Sequence, residues 1–116
     1  MVKIIYNDKF LRLFSVFMHV EGITLYPFII LRKRFKNSLG NKVVKNHEMI
    51  HIKQQIELLV VGFYFLYILE YLIRLILYQD TEKAYKSISF EKEAYKFEND
   101  FNYIKKRPIW GWFKFL

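Results

Sequence analysis

His47, Glu48 and His51 form a His-Glu-x-x-His pattern at the start of a long apolar stretch of the sequence. On an α-helix, residues four apart lie one turn above each other on the same face, so both imidazoles can bind one ion. Glu48 lies about 100° around the helix from His47, where its carboxylate can act on a water molecule without binding the metal. The pattern uses two of the three histidines in the chain. It predicts a zinc site in which Glu48 accepts a proton.

A catalytic zinc ion usually has three protein ligands and an open position for water, so one more ligand is needed. The sequence offers His19, Glu57, and the pair Glu91 and Glu93. His19 lies in an apolar stretch ahead of the pattern, where a lone histidine is more commonly packed or exposed than bound to metal. Glu57 would lie about 9 Å beyond the second histidine of the pattern and point about 80° away from the first, so helical geometry excludes it. Glu91 and Glu93 remain, on a separate predicted helix.

The order of these motifs resembles that of the gluzincins, zinc peptidases whose third ligand is a Glu on a helix packed against the His-Glu-x-x-His helix. Glu91-Lys-Glu-Ala-Tyr95 more closely resembles the Glu-x-x-Ala-Asp motif of the membrane-embedded CAAX-prenyl-type and heat-shock-type peptidases. This resemblance implies Glu91 as the third zinc ligand, with Glu93 as the alternative. Tyr95 stands where that family has an Asp. Residues 23–98 also resemble small bacterial membrane-associated proteins that are predicted to be minimal zinc peptidases.

The composition predicts contact with a membrane. The chain has 116 residues, of which 53% are hydrophobic and 20% aromatic, and its net charge is +8, so it is too apolar to be disordered. Residues 1–46 contain nine Lys or Arg against two acidic residues, which suits an anionic lipid surface. No nucleic-acid-binding motif accompanies the charge, so nucleic acid is not an expected partner. We expect a membrane protein, integral or peripheral, of the bacterial inner membrane.

One domain, residues 1–116, is expected to position the site, with a mainly α fold and a small β element, an α+β fold of minimal zincin type. The β-branched and aromatic residues of 23–31, which include Pro27, predict an edge strand. The lack of proline over 43–78 predicts one long helix or two abutting helices. A further helix over 89–104 carries the third ligand. Residues 105–116 form an aromatic and basic tail that either anchors at a membrane interface or packs its rings on the domain.

Residues 58–77 are long enough to cross a bilayer, but Glu70 and Arg74 interrupt the apolar run. These two residues are four apart in the favourable Glu-before-Arg order, so they can neutralise each other on one helical face. At 100° per residue they lie about 140° and 180° around a continuous helix from His47, away from the metal. We therefore expect a structural ion pair.

The function expected from these features is hydrolysis of a peptide or protein substrate by a zinc-activated water. The strand 23–31 would hold an extended peptide by backbone pairing, and Tyr95 or Tyr103 could donate a hydrogen bond to the developing oxyanion. The alternative is a small basic membrane-associated binding or structural protein with a structural or accidental metal motif. A zinc hydrolase that acts on a non-peptide bond is a third possibility. The sequence leaves the oligomeric state open.

Overall fold

The computed structural model describes residues 2–14 and 21–116, in which helices pack against a small sheet. In chain order the elements are β1 (Lys3–Tyr6), α1 (Asp8–Phe14), β2 (Gly22–Leu25), β3 (Phe28–Leu31), α2 (Asn41–Glu57), α3 (Val61–Tyr78), α4 (Thr81–Ser87), α5 (Ser89–Phe97) and α6 (Tyr103–Lys106). The mainly helical fold with a small sheet confirms the expected α+β class. His19, the histidine considered as a ligand ahead of the motif, lies outside the described residues.

The sheet has the order β1-β3-β2, with β1 parallel and β2 antiparallel to the central strand β3. Side chains alternate between the two faces of a strand, and both faces of β3 are covered. Ile29 and Leu31 pack with Ile52 of α2, whereas Ile30 packs with Leu11 of α1. The sheet therefore rests on the helix that carries the His-Glu-x-x-His pattern, with β2 at its edge.

Residues 23–31, which were expected to form one edge strand, instead form β2 and β3 with a turn at Tyr26 and Pro27. Proline has no amide hydrogen to donate and rarely continues a strand, which accounts for the reversal at this position. The two strands then pair with each other, with Ile23 opposite Ile30. Only the first half of the expected strand is the edge.

Residues 43–78 form two helices, α2 and α3, separated by a short turn at 58–60. Of the two arrangements expected for this stretch, the pair of helices is the one observed. Leu59 and Val60 both have a positive φ, of 57° and 62°, which a β-branched residue such as valine rarely adopts. The amide of Val60 donates a 2.6 Å hydrogen bond to the carbonyl of Gln55 and closes the turn. The break lets α3 approach the metal-binding motif from another direction.

α3 is, in the part of the chain that the structure describes, the one helix long and apolar enough to cross a membrane. It has 18 residues and a mean hydropathy of 1.6. A core helix of a soluble protein passes the same test of length and composition, but such a helix is mostly buried. Only 11% of the residues of α3 are buried inside this protein, and half of its 18 residues are exposed.

The residues expected as a helix over 89–104 form α5 and the short α6, with a turn between them. The start of α5 is capped by another helix, because the two carboxylate oxygens of Glu70 accept hydrogen bonds of 2.7 Å from the amide and hydroxyl of Ser89. The first amides of a helix need such acceptors, and a negative charge there also favours the helix dipole. Arg74 lies 3.7 Å from Glu70, as their spacing predicted. α3 thus fixes the position where the helix bearing Glu91 begins.

The C-terminal segment docks through a buried guanidinium. Arg107 donates to Glu57 at 2.8 Å and to Glu93 at 2.6 Å, and its side chain is only 4% exposed. Gly111 packs against Glu93. A Cβ atom at this position would be 2.6 Å from an oxygen of Glu93, so no larger residue fits without movement. Glu57, which helical geometry excluded as a ligand, belongs to this ion-pair cluster.

The aromatic residues of the tail divide between two environments. Trp112 is buried and packs against Phe90, with ring centroids 4.7 Å apart. Ile109 and Trp110 are exposed. Part of the tail therefore packs its rings on the domain, which was one of the two expected arrangements. Another part exposes apolar side chains.

Candidate metal centre

His47 and His51 point their Nε2 atoms at the same oxygen of Glu91. The distances from this Oε1 atom are 3.0 Å to His47 and 3.2 Å to His51. All three side chains are buried. The two imidazoles expected on one face of α2 thus converge on the carboxylate that α5 contributes.

The other ring nitrogen of each histidine is held by a residue that the sequence analysis missed. Nδ1 of His47 donates to Glu98 Oε1 at 2.8 Å, and Nδ1 of His51 donates to Gln54 Oε1 at 2.7 Å. Such partners fix the ring orientation and leave Nε2 directed at a metal position. The signal for Glu98 was its place seven residues after Glu91, which is two helical turns along the same face. Gln54 follows the second histidine by one turn.

Glu93, the alternative ligand, does not face the histidines. Its oxygens accept hydrogen bonds from Gln54, from the hydroxyl of Tyr103 and from Arg107. The side-chain nitrogen of Gln54 also donates to the carbonyl of Phe90 at 3.1 Å. With its nitrogen held by Phe90 and Glu93, Gln54 turns its side-chain oxygen towards the second histidine. Glu93 therefore supports a residue that orients a histidine.

Glu48 lies between the histidines and the edge strand. The hydroxyl of Thr24 donates to Glu48 Oε2 at 3.0 Å, and a Cβ atom at Gly22 would be 3.0 Å from Glu48 Oε1 and 2.6 Å from Leu31. Gly22 is thus required for the close approach of β2 to this carboxylate. The potential ligand atoms of His47, Glu48 and His51 lie within 4.8 Å of one another, so this group could hold a metal ion.

Burial and the neighbouring charges determine the protonation of this cluster. Burial alone would raise the pKa of Glu91, but His51 and His47 outweigh it and hold the pKa well below its usual value. Burial lowers the pKa of His47, but hydrogen bonds to Glu91 and Glu98 outweigh this and raise the pKa to about 10. The metal-free cluster therefore contains an ionised Glu91 beside a protonated His47.

Burial also raises the pKa of Glu48, and the positive charges of His51 and His47 offset this only in part. A carboxylate with a raised pKa is a better proton acceptor near neutral pH than an exposed one. The environment of Glu48 thus differs from that of Glu91, although both side chains are buried. One carboxylate is held in its ionised form and the other is set to exchange a proton.

We expect zinc affinity to rise as the pH is raised from about 6 to about 9. The raised pKa of His47 keeps a proton on its ring at neutral pH, and a metal ion at Nε2 must displace that proton. For one displaced proton the affinity should increase by about tenfold per pH unit. Competition with a chelator of known affinity at each pH measures this. Glu98→Gln should lower the pKa of His47 and flatten the dependence, and a pH-independent affinity in the unaltered protein would contradict the assignment.

Two tyrosines, Tyr67 and Tyr95, contact the proposed ligands. The hydroxyl of Tyr67 donates to Glu91 Oε2 at 2.6 Å, so the second oxygen of this carboxylate is also occupied. The ring of Tyr95 lies edge-on to His47, with centroids 4.5 Å apart, and its hydroxyl is 3.3 Å from that of Tyr85. Tyr67 and Tyr85 were not singled out in the sequence, because the nine tyrosines of the chain gave no sign of which of them face the motif.

Tyr103, the second tyrosine expected to act as an oxyanion donor, lies away from the histidines. It is buried, and its hydroxyl donates to Glu93 at 2.6 Å. Of the two expected donors, only Tyr95 is beside the site.

Two cavities meet at Glu48. The larger has a volume of about 470 Å³ and lies between β2 and α3, with Glu48, His51 and Glu91 among its lining residues. The smaller, of about 140 Å³, includes His47, Glu48 and Glu98. Both include Gly22, and the larger cavity continues along the edge strand as far as Leu25.

No protein-family model, curated protein or solved structure matches the chain.

Proposed function

We propose that this protein is a membrane-associated zinc metallopeptidase. The observation that carries the proposal is that the Nε2 atoms of His47 and His51 both point at one oxygen of Glu91, with Glu48 beside them in a cleft. The cleft follows the edge strand β2, which suits a substrate in extended form. The proposed site lies between two cavities that share Gly22 and Glu48.

The donor atoms in this cluster fit zinc. Two imidazole nitrogens and one carboxylate oxygen form a ligand set that catalytic zinc uses, with a further position left for water. Calcium and magnesium prefer oxygen ligands, so a pair of histidines disfavours both. The partners of Nδ1, Glu98 and Gln54, resemble the outer hydrogen bonds that orient histidine ligands in zinc proteins. In the proposed site His47, His51 and Glu91 hold the metal.

When bound, zinc supplies Lewis-acid chemistry that activates a water molecule and polarises the scissile carbonyl. Glu48 takes a proton from the attacking water and returns it to the leaving amine, as its raised pKa allows. Thr24 holds Glu48 in place through the hydrogen bond to Oε2. Of the two tyrosines expected as oxyanion donors, Tyr95 is the one beside the histidines. We assign it the role of stabilising negative charge on the carbonyl oxygen.

A second candidate is a small membrane-associated binding protein without catalysis. It is favoured by the exposed apolar surface of α3 and the basic residues of 1–46, neither of which a peptidase needs for its chemistry. In that case the buried cluster of histidines and carboxylates would serve the fold, as an ion-pair network or as a structural metal site.

Elemental analysis of the purified protein tests the proposal. We expect close to one zinc ion per chain, because two histidines and one glutamate complete a zinc site within a single subunit. Folded protein that contains no zinc, and takes up none when zinc is added, would refute the metallopeptidase and favour the second candidate. The variant His51→Gln provides the matched control, since it should fail to retain zinc.

A further inference from the structure

The exposed face of α3 is apolar, unlike the exposed face of a helix at the surface of a soluble protein. Its exposed side chains include Phe65, Ile68, Leu69, Leu72, Ile73 and Ile76. At 100° per residue they belong to an arc of roughly 180° on which every residue is apolar. A helix that faces water normally shows charged and polar residues there.

The polar residues of α3 lie on the opposite, inward face. Glu70 caps α5, Tyr64 donates to the carbonyl of Thr24 at 2.7 Å, and Tyr67 donates to Glu91. These three polar groups of the inward face are thus hydrogen-bonded within the protein, whereas the outward face carries apolar residues. This is the distribution expected of a helix whose outer surroundings are hydrocarbon.

Exposed apolar residues also surround the N-terminal end of α3. Leu59 and Val61 are 84% and 77% exposed. The tail reaches the same end, because the amide of Trp110 donates to Glu57, which ends α2. Exposed tryptophan is typical of the boundary between hydrocarbon and water. The apolar surface of α3 thus ends at a residue suited to a membrane interface.

The neighbouring helix α4 decides how α3 can meet a bilayer. Ala84 and Tyr85 of α4 pack in the same cluster as Tyr71 of α3, so the two helices lie side by side. α4 also exposes the charged residues Lys83 and Lys86. If α3 crossed the membrane, these charges would enter the hydrocarbon beside it, which is costly. With α3 parallel to the surface, α4 stays on the water side.

We propose that the outward face of α3 lies flat in the interface of an anionic bilayer and that the larger cavity opens onto the lipid. Ile68 and Leu72 carry the second part of this proposal, since each lines the cavity and is also exposed on the outward face, at 56% and 49%. Residues 1–46 contain nine Lys or Arg and two acidic residues, and this positive charge favours anionic headgroups. The substrate class rests on the proposed function: the substrate is a peptide with an apolar segment in the same bilayer.

Flotation with preformed vesicles tests the lipid-binding face. The full chain should float with vesicles of phosphatidylglycerol and phosphatidylcholine, and Phe65→Ser combined with Ile76→Ser should reduce the bound fraction by about tenfold. Leu39→Ser is the matched control, because this leucine is fully exposed outside α3 and should leave binding unchanged. If the double variant binds as well as the unaltered chain, or if the chain only self-associates and does not float, the proposal is wrong.

Cysteine labelling separates a flat helix from a spanning one. The chain contains no cysteine, so Lys42→Cys before α3 and Thr81→Cys after it each introduce a single thiol. On vesicle-bound protein, a membrane-impermeant thiol reagent added outside should label both variants to the extent reached in detergent. Protection of one of the two would show that α3 spans the bilayer and would overturn the proposed orientation.

The opening of the cavity has a readout that does not depend on catalysis. A fluorophore attached at Leu25→Cys, inside the larger cavity, should be quenched by lipids with a nitroxide on the acyl chain. A fluorophore at Val43→Cys, in the smaller cavity, should not be quenched. Equal quenching at both positions, or none at the first, would refute an opening onto lipid.

A cleavage assay then examines the substrate class. A peptide with an N-terminal acyl chain, bound to vesicles, should be cleaved at least about tenfold faster than the same peptide without it. The double variant of α3 should lose this advantage and keep its rate on the soluble peptide. Equal rates on both peptides in the unaltered chain would refute the substrate class. Failure to cleave either peptide would count against the proposed function, while the flotation, labelling and quenching results would still decide the lipid-binding face.

Discussion

Replacement of Glu48 by Gln should reduce peptide hydrolysis by about 10²- to 10⁴-fold, the range typical of a lost general base. Gln keeps the size of the side chain and can still accept the hydrogen bond from Thr24, but it cannot take up a proton. Since Glu48 acts on water in the proposed mechanism, zinc content should not change. The measurement is the rate of cleavage of a mixed peptide library, together with elemental analysis of the same sample.

Thr24→Val provides the graded control for this experiment. It removes the hydroxyl that positions Glu48 but leaves the carboxylate, so the loss of activity should be smaller than in Glu48→Gln. If Glu48→Gln cleaves the library as fast as the unaltered protein, the assigned role is wrong, even with zinc present. If both forms bind zinc and anionic vesicles but neither cleaves anything, the binding-protein candidate is the better one.

Replacement of Glu91 by Gln should weaken zinc binding more than any change in the surrounding hydrogen bonds. In the proposed site Glu91 supplies a ligand oxygen, whereas Glu98 only orients His47. Loss of such an outer partner typically costs about 10- to 100-fold in metal affinity, so Glu98→Gln should fall in this range and Glu91→Gln should exceed it. Zinc titration against a competing chelator gives both values.

Glu93→Gln is the informative contrast, because it alters a carboxylate two residues away on the same helix. Arg107 would then lose one of its two buried partners, and breaking a buried ion pair typically costs about 3–5 kcal/mol of stability. We expect a lower midpoint of thermal unfolding and a much smaller loss of zinc affinity than in Glu91→Gln, since Glu93 acts on the second histidine only through Gln54. Equal loss of zinc from Glu91→Gln and Glu93→Gln would instead indicate a displaced α5 and would contradict the assignment of Glu91.

The sequence predicted those parts of the candidate site that follow from local spacing. His47 and His51 share a face because of the helical repeat, and this requires no knowledge of the rest of the fold. Glu91 came from a resemblance, and the structure places its carboxylate at the two imidazoles. The role of Gln54 could not be predicted from the sequence, because it depends on how α5 packs against α2.

The breaks between elements were the least predictable part of the fold. No proline or glycine marks the turn at 58–60, and Gly62 lies within the first turn of α3. Leu59 and Val60 have positive φ, against the local preference of such residues, so their types gave no signal of a turn. The exposed arc of α3 was likewise hidden, since a uniformly apolar sequence does not say which face meets the protein.

The docking of Arg107 has a consequence for the order in which the protein is made. A ribosome completes His47 and His51 long before Arg107, yet the hydrogen bonds that lead from Arg107 through Glu93 and Gln54 to the second histidine need the late residue. The nascent chain therefore carries its histidines with an unfinished support. A chain that stops at Lys106 should bind zinc more weakly than the full chain in the same chelator titration, and equal affinity would show that the support is dispensable. Completion of the candidate metal centre is thus coupled to the docking of a segment that is made after all three of the proposed ligands.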